Sequence, residues 1–126
     1  MTRVLVDTDI IIDYLRDNKQ AVIYIESISD LPQLSVITIA ELNAGIRNTE
    51  EKNALEKFLQ SFQIIPVSQD IAETGGQFRR EYGKSHGTGL ADALIAATAL
   101  SQDAVLASLN KRHYPMIKNL LVPYKK

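Results

Sequence analysis

The sequence predicts an α/β fold: a central, mostly parallel sheet of about four or five short strands with helices on both faces. Three observations carry this. Short apolar runs recur at residues 4–6, 34–37, 63–67 and 104–106, each the length of a strand buried on both sides. Longer segments with helical apolar spacing separate them. The runs break into polar or cap-forming residues, as strands do where they hand over to helices at one edge of a parallel sheet.

Taken in order, Val4, Leu5 and Val6 run into Asp7, which therefore stands at the carboxyl end of the first and most central strand. In open α/β sheets that edge is where ligands sit. Asp9 is the expected N-cap of a helix over 10–16. A second helix over 19–29 carries Val22, Ile25 and Ile28 on one face and ends before Pro32. Residues 34–37 form the second strand. Thr38 and Glu41 then have capping-box spacing for a helix reaching Gly45. A helix over 49–62 buries Leu55, Phe58, Leu59 and Phe62. Residues 63–67 make a third strand, which Pro66 assigns to an edge. The helix over 68–82 is interrupted at Gly75 and Gly76, and a loop follows over 83–89. Thr88 caps a helix over 88–100, with Leu90, Leu94, Ala97 and Leu100 at helical spacing and Asp92 in its first turn, where the helix dipole favours an anion. A strand at 104–106 exits through Ser108, Leu109 and Asn110, and 120–122 offers a fifth strand before a basic tail.

The chain has 126 residues, 45% hydrophobic and 23% charged, which fits a single domain over 1–126. It has no cysteine, so disulfides and thiolate metal sites are excluded. No apolar run approaches the length of a membrane span, and a cytoplasmic location is expected. Net charge is −1. A protein that holds nucleic acid by bulk charge is usually strongly basic, so contact with it here must come from local clusters or through a cation.

Each acid alone has a plain explanation as a cap. Together, Asp7, Glu41, Asp92 and the neutral Asn110 share a placement at strand ends and helix starts, which lie on one edge of a parallel sheet. Carboxylates converging there repel one another unless a cation or protons intervene. Hard oxygen donors without His or Cys point to Mg2+ or Mn2+. Such a cluster suits phosphodiester hydrolysis, in which the metal lowers the pKa of an attacking water and stabilises charge on the phosphoryl oxygens.

Four segments, VDTDIIIDYL, TIAEL, GLADALIAATAL and VLASLNKRHY, occur in the order and at the spacing of a known family. The chain resembles a PIN domain, and most closely the VapC toxins of VapBC toxin–antitoxin pairs, from Val4 to Tyr114. The resemblance implies a three-layer α/β/α fold and a Mg2+-dependent endoribonuclease, with Mn2+ as the alternative ion. It makes Asp7, Glu41 and Asp92 the acidic metal-site residues. Asn110 falls at a fourth, more variable catalytic position, while Thr8, Asp9 and Ser108 fall at supporting ones. Ser108 stands where a Thr is common, and Tyr114 where a Phe is common. The implied partners are an RNA substrate, a VapB-like antitoxin and a second copy of the chain in a homodimer, with no membrane. An apolar surplus around Ile10, Ile11, Ile12, Ile23, Tyr24, Leu42 and Ile46 suggests a groove for an amphipathic antitoxin segment. Arg79, Arg80, Lys84, Lys111 and Arg112 are candidate RNA contacts.

Three other readings compete. A haloacid-dehalogenase phosphatase also opens with a strand and D-x-D, but it leaves TIAEL unexplained. A metal-independent ribonuclease would use His86 and His113 as acid and base. A non-catalytic RNA- or protein-binding PIN-like module would not need Asp7, Glu41 and Asp92 all in place.

Overall fold

The computed structural model describes residues 2–126. Its centre is a four-stranded sheet, all parallel, in the order β3-β2-β1-β4. Strand β1 (Val4–Val6) is interior, with β2 (Gln33–Ser35) on one side and β4 (Val105–Ala107) on the other; β3 (Gln63–Ile65) is an edge and stops before Pro66. The sheet is short, three residues per strand. The expected fifth strand is reduced to one bridge between Leu121 and Ala107.

Side chains alternate across the sheet, and helices cover both faces. Leu5 and Leu106 point into a core with Ile95, Ala96, Ala99, Tyr114 and Ile117. Val6, Leu34 and Ala107 point into a second core with Ile10, Ile11, Ala21, Leu42, Leu55, Phe62 and Tyr124. The three-layer α/β/α arrangement is the expected one.

Several boundaries differ from the sequence reading, each for a local reason. Helix α1 (Thr8–Leu15) starts earlier than expected because Asp7, not Asp9, is its N-cap and accepts from the Thr8 N–H. Helix α2 (Lys19–Ser27) follows, capped by Asn18. Strand β2 ends at Ser35, whose hydroxyl accepts from the Ile37 N–H and so begins α3 (Val36–Ala44) ahead of Thr38. The Thr38–Glu41 capping box therefore does not form; Thr38 is buried inside the helix, and Glu41 lies a turn further along. Helix α4 (Thr49–Leu59) leads to β3.

Helix α5 (Gln69–His86) runs straight through Gly75 and Gly76, reducing the expected 83–89 loop to Gly87, Thr88 and Gly89. Gly75 serves packing: a Cβ there would lie 2.6 Å from Leu94 Cδ2 and 3.2 Å from Leu94 Cα. Helix α6 (Leu90–Ser101) thus approaches α5 closely. It is covered by both α5 and the sheet, with Ala93 and Ile95 to Ala99 all buried. The expected stripe through Leu90 and Leu100 is incorrect, since both are more than half exposed. A helix covered on two sides is apolar nearly all round, and its periodicity selects no single face.

Candidate active site

The carboxyl edge of the central strands is where the chemistry gathers. Asp7 follows β1, Ser108 follows β4, and α6 brings its N-terminus to the same cleft. Asp7 is 4% exposed. Its Oδ1 accepts from the Thr8 N–H at 2.8 Å, while its Oδ2 accepts from Ser108 Oγ at 2.7 Å and Tyr114 Oη at 2.9 Å. That phenol also lies 3.5 Å from Asp92 Oδ1, so a single hydroxyl spans the acid from β1 and the acid from α6. The other oxygen of Asp92 accepts from the Gly89 N–H at 2.9 Å and stands 3.4 Å from His113 Nδ1. Gly89, rather than Thr88, is the N-cap of α6; the Thr88 hydroxyl donates to the His113 carbonyl and anchors the segment before Tyr114.

The remaining sequence candidates divide. Asp9 is not a cap. Its Oδ1 accepts from the Ile10 N–H and its Oδ2 from the Leu109 N–H at 2.9 Å, tying α1 to the loop beyond β4. Thr8 donates to Glu41 Oε1 at 2.6 Å, and its hydroxyl lies 2.9 Å from Thr38 Oγ1. Glu41 is thus held to α1 through Thr8, the residue next to Asp7. Asn110 is exposed on the rim; its backbone N–H donates to Ser108 Oγ. Lys111 and Arg112 continue from it on a single 3-10 turn (Lys111–His113), both exposed. Arg79, Arg80 and Lys84 are exposed on α5, with Arg79 folded back over Gly83. His86 is bound to its neighbour Ser85, away from the acids, whereas His113 reaches Asp92.

Electrostatics follow from the burial. Desolvation first, and the charge of Asp9 second, push the Asp7 carboxyl from 3.8 up to about 7, against the pull of its three donors. Asp9 is also raised, chiefly by burial. The Tyr114 phenol is pushed far above its ordinary value by burial, then by Asp7 and Asp92, and it keeps its proton. Tyr114 is the participant that sequence reasoning passed over. The signal was present: a phenol replaces a Phe in a buried position, and a buried hydroxyl needs a partner.

Do these residues suit a divalent cation? Among the described residues, no three Asp, Glu or His side chains stand close enough to enclose one ion. Mg2+, however, keeps most of its waters and takes one or two protein carboxylates. Asp7 and Asp92 offer that donor set, all hard oxygen. These oxygen donors are of the kind that Mg2+ and Mn2+ take.

Glu41 also lines a groove of about 430 Å³ between α1, α3 and α4, whose apolar wall is Ile12, Leu15, Leu42, Ile46 and Leu55, with Arg16, Arg47 and Glu51 beside them. Ile10 and Ile11, counted with the surface surplus in the sequence, are instead fully buried in the core. Ile23 is exposed on α2, outside the groove lining.

Comparison with known proteins bears on the family and the fold. The PIN domain family model matches residues 4–118. Ribonuclease VapC10 of Mycobacterium tuberculosis is 41% identical over 124 residues, covering 96% of this chain and 92% of that protein. Ribonuclease VapC19 of the same species is 40% identical over 124 residues, covering 95% and 98%. Among solved structures, a toxin–antitoxin complex from Klebsiella pneumoniae aligns with a TM-score of 0.85 at 30% identity, over 98% of this chain and 99% of that one.

Proposed function

The chain belongs to the PIN-domain family, and from that premise we propose that it is an endoribonuclease, the toxin of a toxin–antitoxin pair, acting as one domain over residues 1–126 and dependent on Mg2+ or Mn2+. The ribonuclease and toxin readings are supported by relatives of that name at about 40% identity over nearly the whole chain, and by the toxin–antitoxin complex that shares the fold. The observation that supports the metal reading is the pair of carboxylates at the strand edge, buried Asp7 and partly exposed Asp92, both within reach of one phenol oxygen.

When bound, the ion supplies a lowered pKa for an attacking water and neutralises charge on the phosphoryl oxygens. The chain's own residues hold the site in shape. Asp7 and Asp92 carry the ion. Ser108 fixes the cleft-facing oxygen of Asp7, and Asp9 fixes the loop that presents Asn110. Asn110 stands at the rim, where it meets the substrate side of the cleft. Glu41 acts through Thr8, beside Asp7. Lys111 and Arg112 flank the cleft and bind RNA phosphates locally, as a net charge of −1 requires; Arg79, Arg80 and Lys84 extend that surface along α5. The groove beside Glu41 takes the apolar face of a VapB-like antitoxin segment.

The test is RNA cleavage by the purified chain, with product ends identified. Cleavage that needs Mg2+ or Mn2+, leaves 5′-phosphate ends, and disappears in Asp7→Asn and Asp92→Asn is the expected result. Full cleavage in excess EDTA, or 2′,3′-cyclic phosphate ends, overturns the metal mechanism.

A further inference from the structure

The Tyr114 hydroxyl occupies an unusual position for a side chain that is otherwise core. Its ring is 1% exposed and packs with Leu5, Ile95, Leu106 and Ile117, so the side chain has no room to swing. The preceding backbone is pinned as well, by Thr88 Oγ1 on the His113 carbonyl and by the Tyr114 N–H on the Lys111 carbonyl. The phenol oxygen is therefore presented at a fixed point, 2.9 Å from Asp7 Oδ2 and 3.5 Å from Asp92 Oδ1.

A carboxylate oxygen has two lone-pair directions. On Asp7 Oδ2 both are taken, one by Ser108 at 2.7 Å and one by Tyr114. Of the donors to Asp7, only Tyr114 also reaches Asp92. A cation held between this oxygen and Asp92 Oδ1 would take the direction that the phenol now fills. Phenol and cation are thus alternatives: each supplies positive charge to the same pair of oxygens, the phenol as a partial charge on one proton, the ion as a full divalent charge.

We propose that Tyr114 is a positioning residue for the metal, a clasp whose hydroxyl holds Asp7 and Asp92 together when no cation is bound and which a bridging cation must displace. The inference rests on the metal reading above. It concerns one hydroxyl that this chain carries where a Phe is equally well accommodated by the surrounding apolar core. Its consequence is weakened metal binding: the clasp stabilises the metal-free site, and the ion competes with it.

The experiment titrates Mn2+ alone into the full chain by calorimetry, for wild type, Tyr114→Phe and Ser108→Ala. Tyr114→Phe keeps the ring and loses the clasp. It is expected to melt below wild type without metal and to bind Mn2+ about tenfold more tightly, since a hydrogen bond to a charged group is the competitor removed. Ser108→Ala loses a donor that does not reach Asp92, and is expected to show no such tightening. Unchanged or weaker Mn2+ binding by Tyr114→Phe, with the wild type binding normally, overturns the clasp and leaves the metal reading standing. A wild type that does not bind Mn2+ overturns both. A second readout needs no variant to fold: the Tyr114 ring resonances of the wild type, assigned through its backbone, should shift on Mg2+ titration. Static Tyr114 resonances, alongside moving Asp7 and Asp92 signals, also overturn the proposal.

Discussion

Replacing Asp7 by Asn removes a charge that the fold holds against desolvation, and the effect on stability is expected to change sign with pH. The Asp7 carboxyl is raised from 3.8 to about 7, first by burial and then by Asp9. At about 1.4 kcal/mol per pH unit, the ionised form costs the native state about 4 kcal/mol at most. Because the native pKa lies above the unfolded one, the native state binds the proton more tightly. Stability is then greatest below the unfolded value, falls as pH rises through the window from 3.8 to about 7, and is flat above it. Asn is not a free replacement. Asp7 Oδ2 accepts two hydroxyls, and an amide nitrogen turned toward Ser108 and Tyr114 offsets about 1–3 kcal/mol of the gain.

At pH 8 in EDTA, Asp7→Asn should therefore be more stable than wild type by about 1–2 kcal/mol, a Tm rise of about 3–8 °C. Between pH 8 and pH 5 the wild type should recover about 2–3 kcal/mol that the variant does not, so the order reverses. Millimolar Mg2+ at pH 8 should raise the wild-type Tm and barely move the variant. Thermal melts at the two pH values, with and without Mg2+, measure all of this. A variant destabilised equally at both pH values, beside a wild type indifferent to Mg2+, would mean that Asp7 is a helix cap and nothing more.

Further outcomes test separate parts of the molecule. Glu41→Gln should leave Mn2+ affinity within about twofold, whereas Asp92→Asn should lose about tenfold or more, because Asp92, and not Glu41, shares the Tyr114 hydroxyl with Asp7; equal losses would return Glu41 to the ion's own shell. Gly75→Ala should destabilise by about 1–3 kcal/mol through collision with Leu94, while Gly76→Ala, with nothing within 4 Å, should stabilise by up to about 1 kcal/mol; chemical denaturation of both resolves the sign. Ile46→Asp or Leu15→Asp in the groove should weaken antitoxin binding about tenfold or more with cleavage by the free toxin intact, read by calorimetry and a cleavage assay. Lys111→Ala with Arg112→Ala should weaken RNA binding across sequences and flatten its logarithmic salt dependence by about 1.4–1.8; an unchanged slope places the RNA elsewhere.

The parts of the fold legible in the sequence were those set by burial alone. The run of Val4, Leu5 and Val6 is a strand buried on both faces, and its identity located both the sheet centre and Asp7. Pro66 marked β3 as an edge because proline has no ladder N–H. What the sequence hid was decided by competition between residues that can do the same job. Asp7 and Asp9 can both cap α1, and Ser35 and Thr38 can both cap α3; the nearer residue to the strand won each time. Gly75 and Gly76 resemble a break by propensity, yet one is the close-packing point of two helices and the other is simply solvent-facing. Tyr114 stands in the sequence as a change from a common Phe. Its importance depends on where its oxygen lands, which is a tertiary fact.

The capping explanation and the site explanation of the acids turn out to be compatible, because they use different oxygens. Asp7 gives Oδ1 to the Thr8 N–H and keeps Oδ2 toward the cleft. Asp92 gives Oδ2 to the Gly89 N–H and keeps Oδ1 toward Tyr114. In both, the capping hydrogen bond restrains the carboxylate's rotation, and on Asp7 the Ser108 and Tyr114 hydroxyls hold the second oxygen as well. Asp9 has no oxygen left for the cleft, since both accept backbone N–H groups, and its contribution is to raise Asp7 and tie down the Asn110 loop. Glu41, on a longer side chain with no cap to make, is restrained by the Thr8 hydroxyl at 2.6 Å. Asp7 and Asp92 thus each spend one oxygen on a helix-start N–H and turn the other toward Tyr114, whereas Asp9 spends both on backbone N–H groups and Glu41 is tied to the Thr8 hydroxyl.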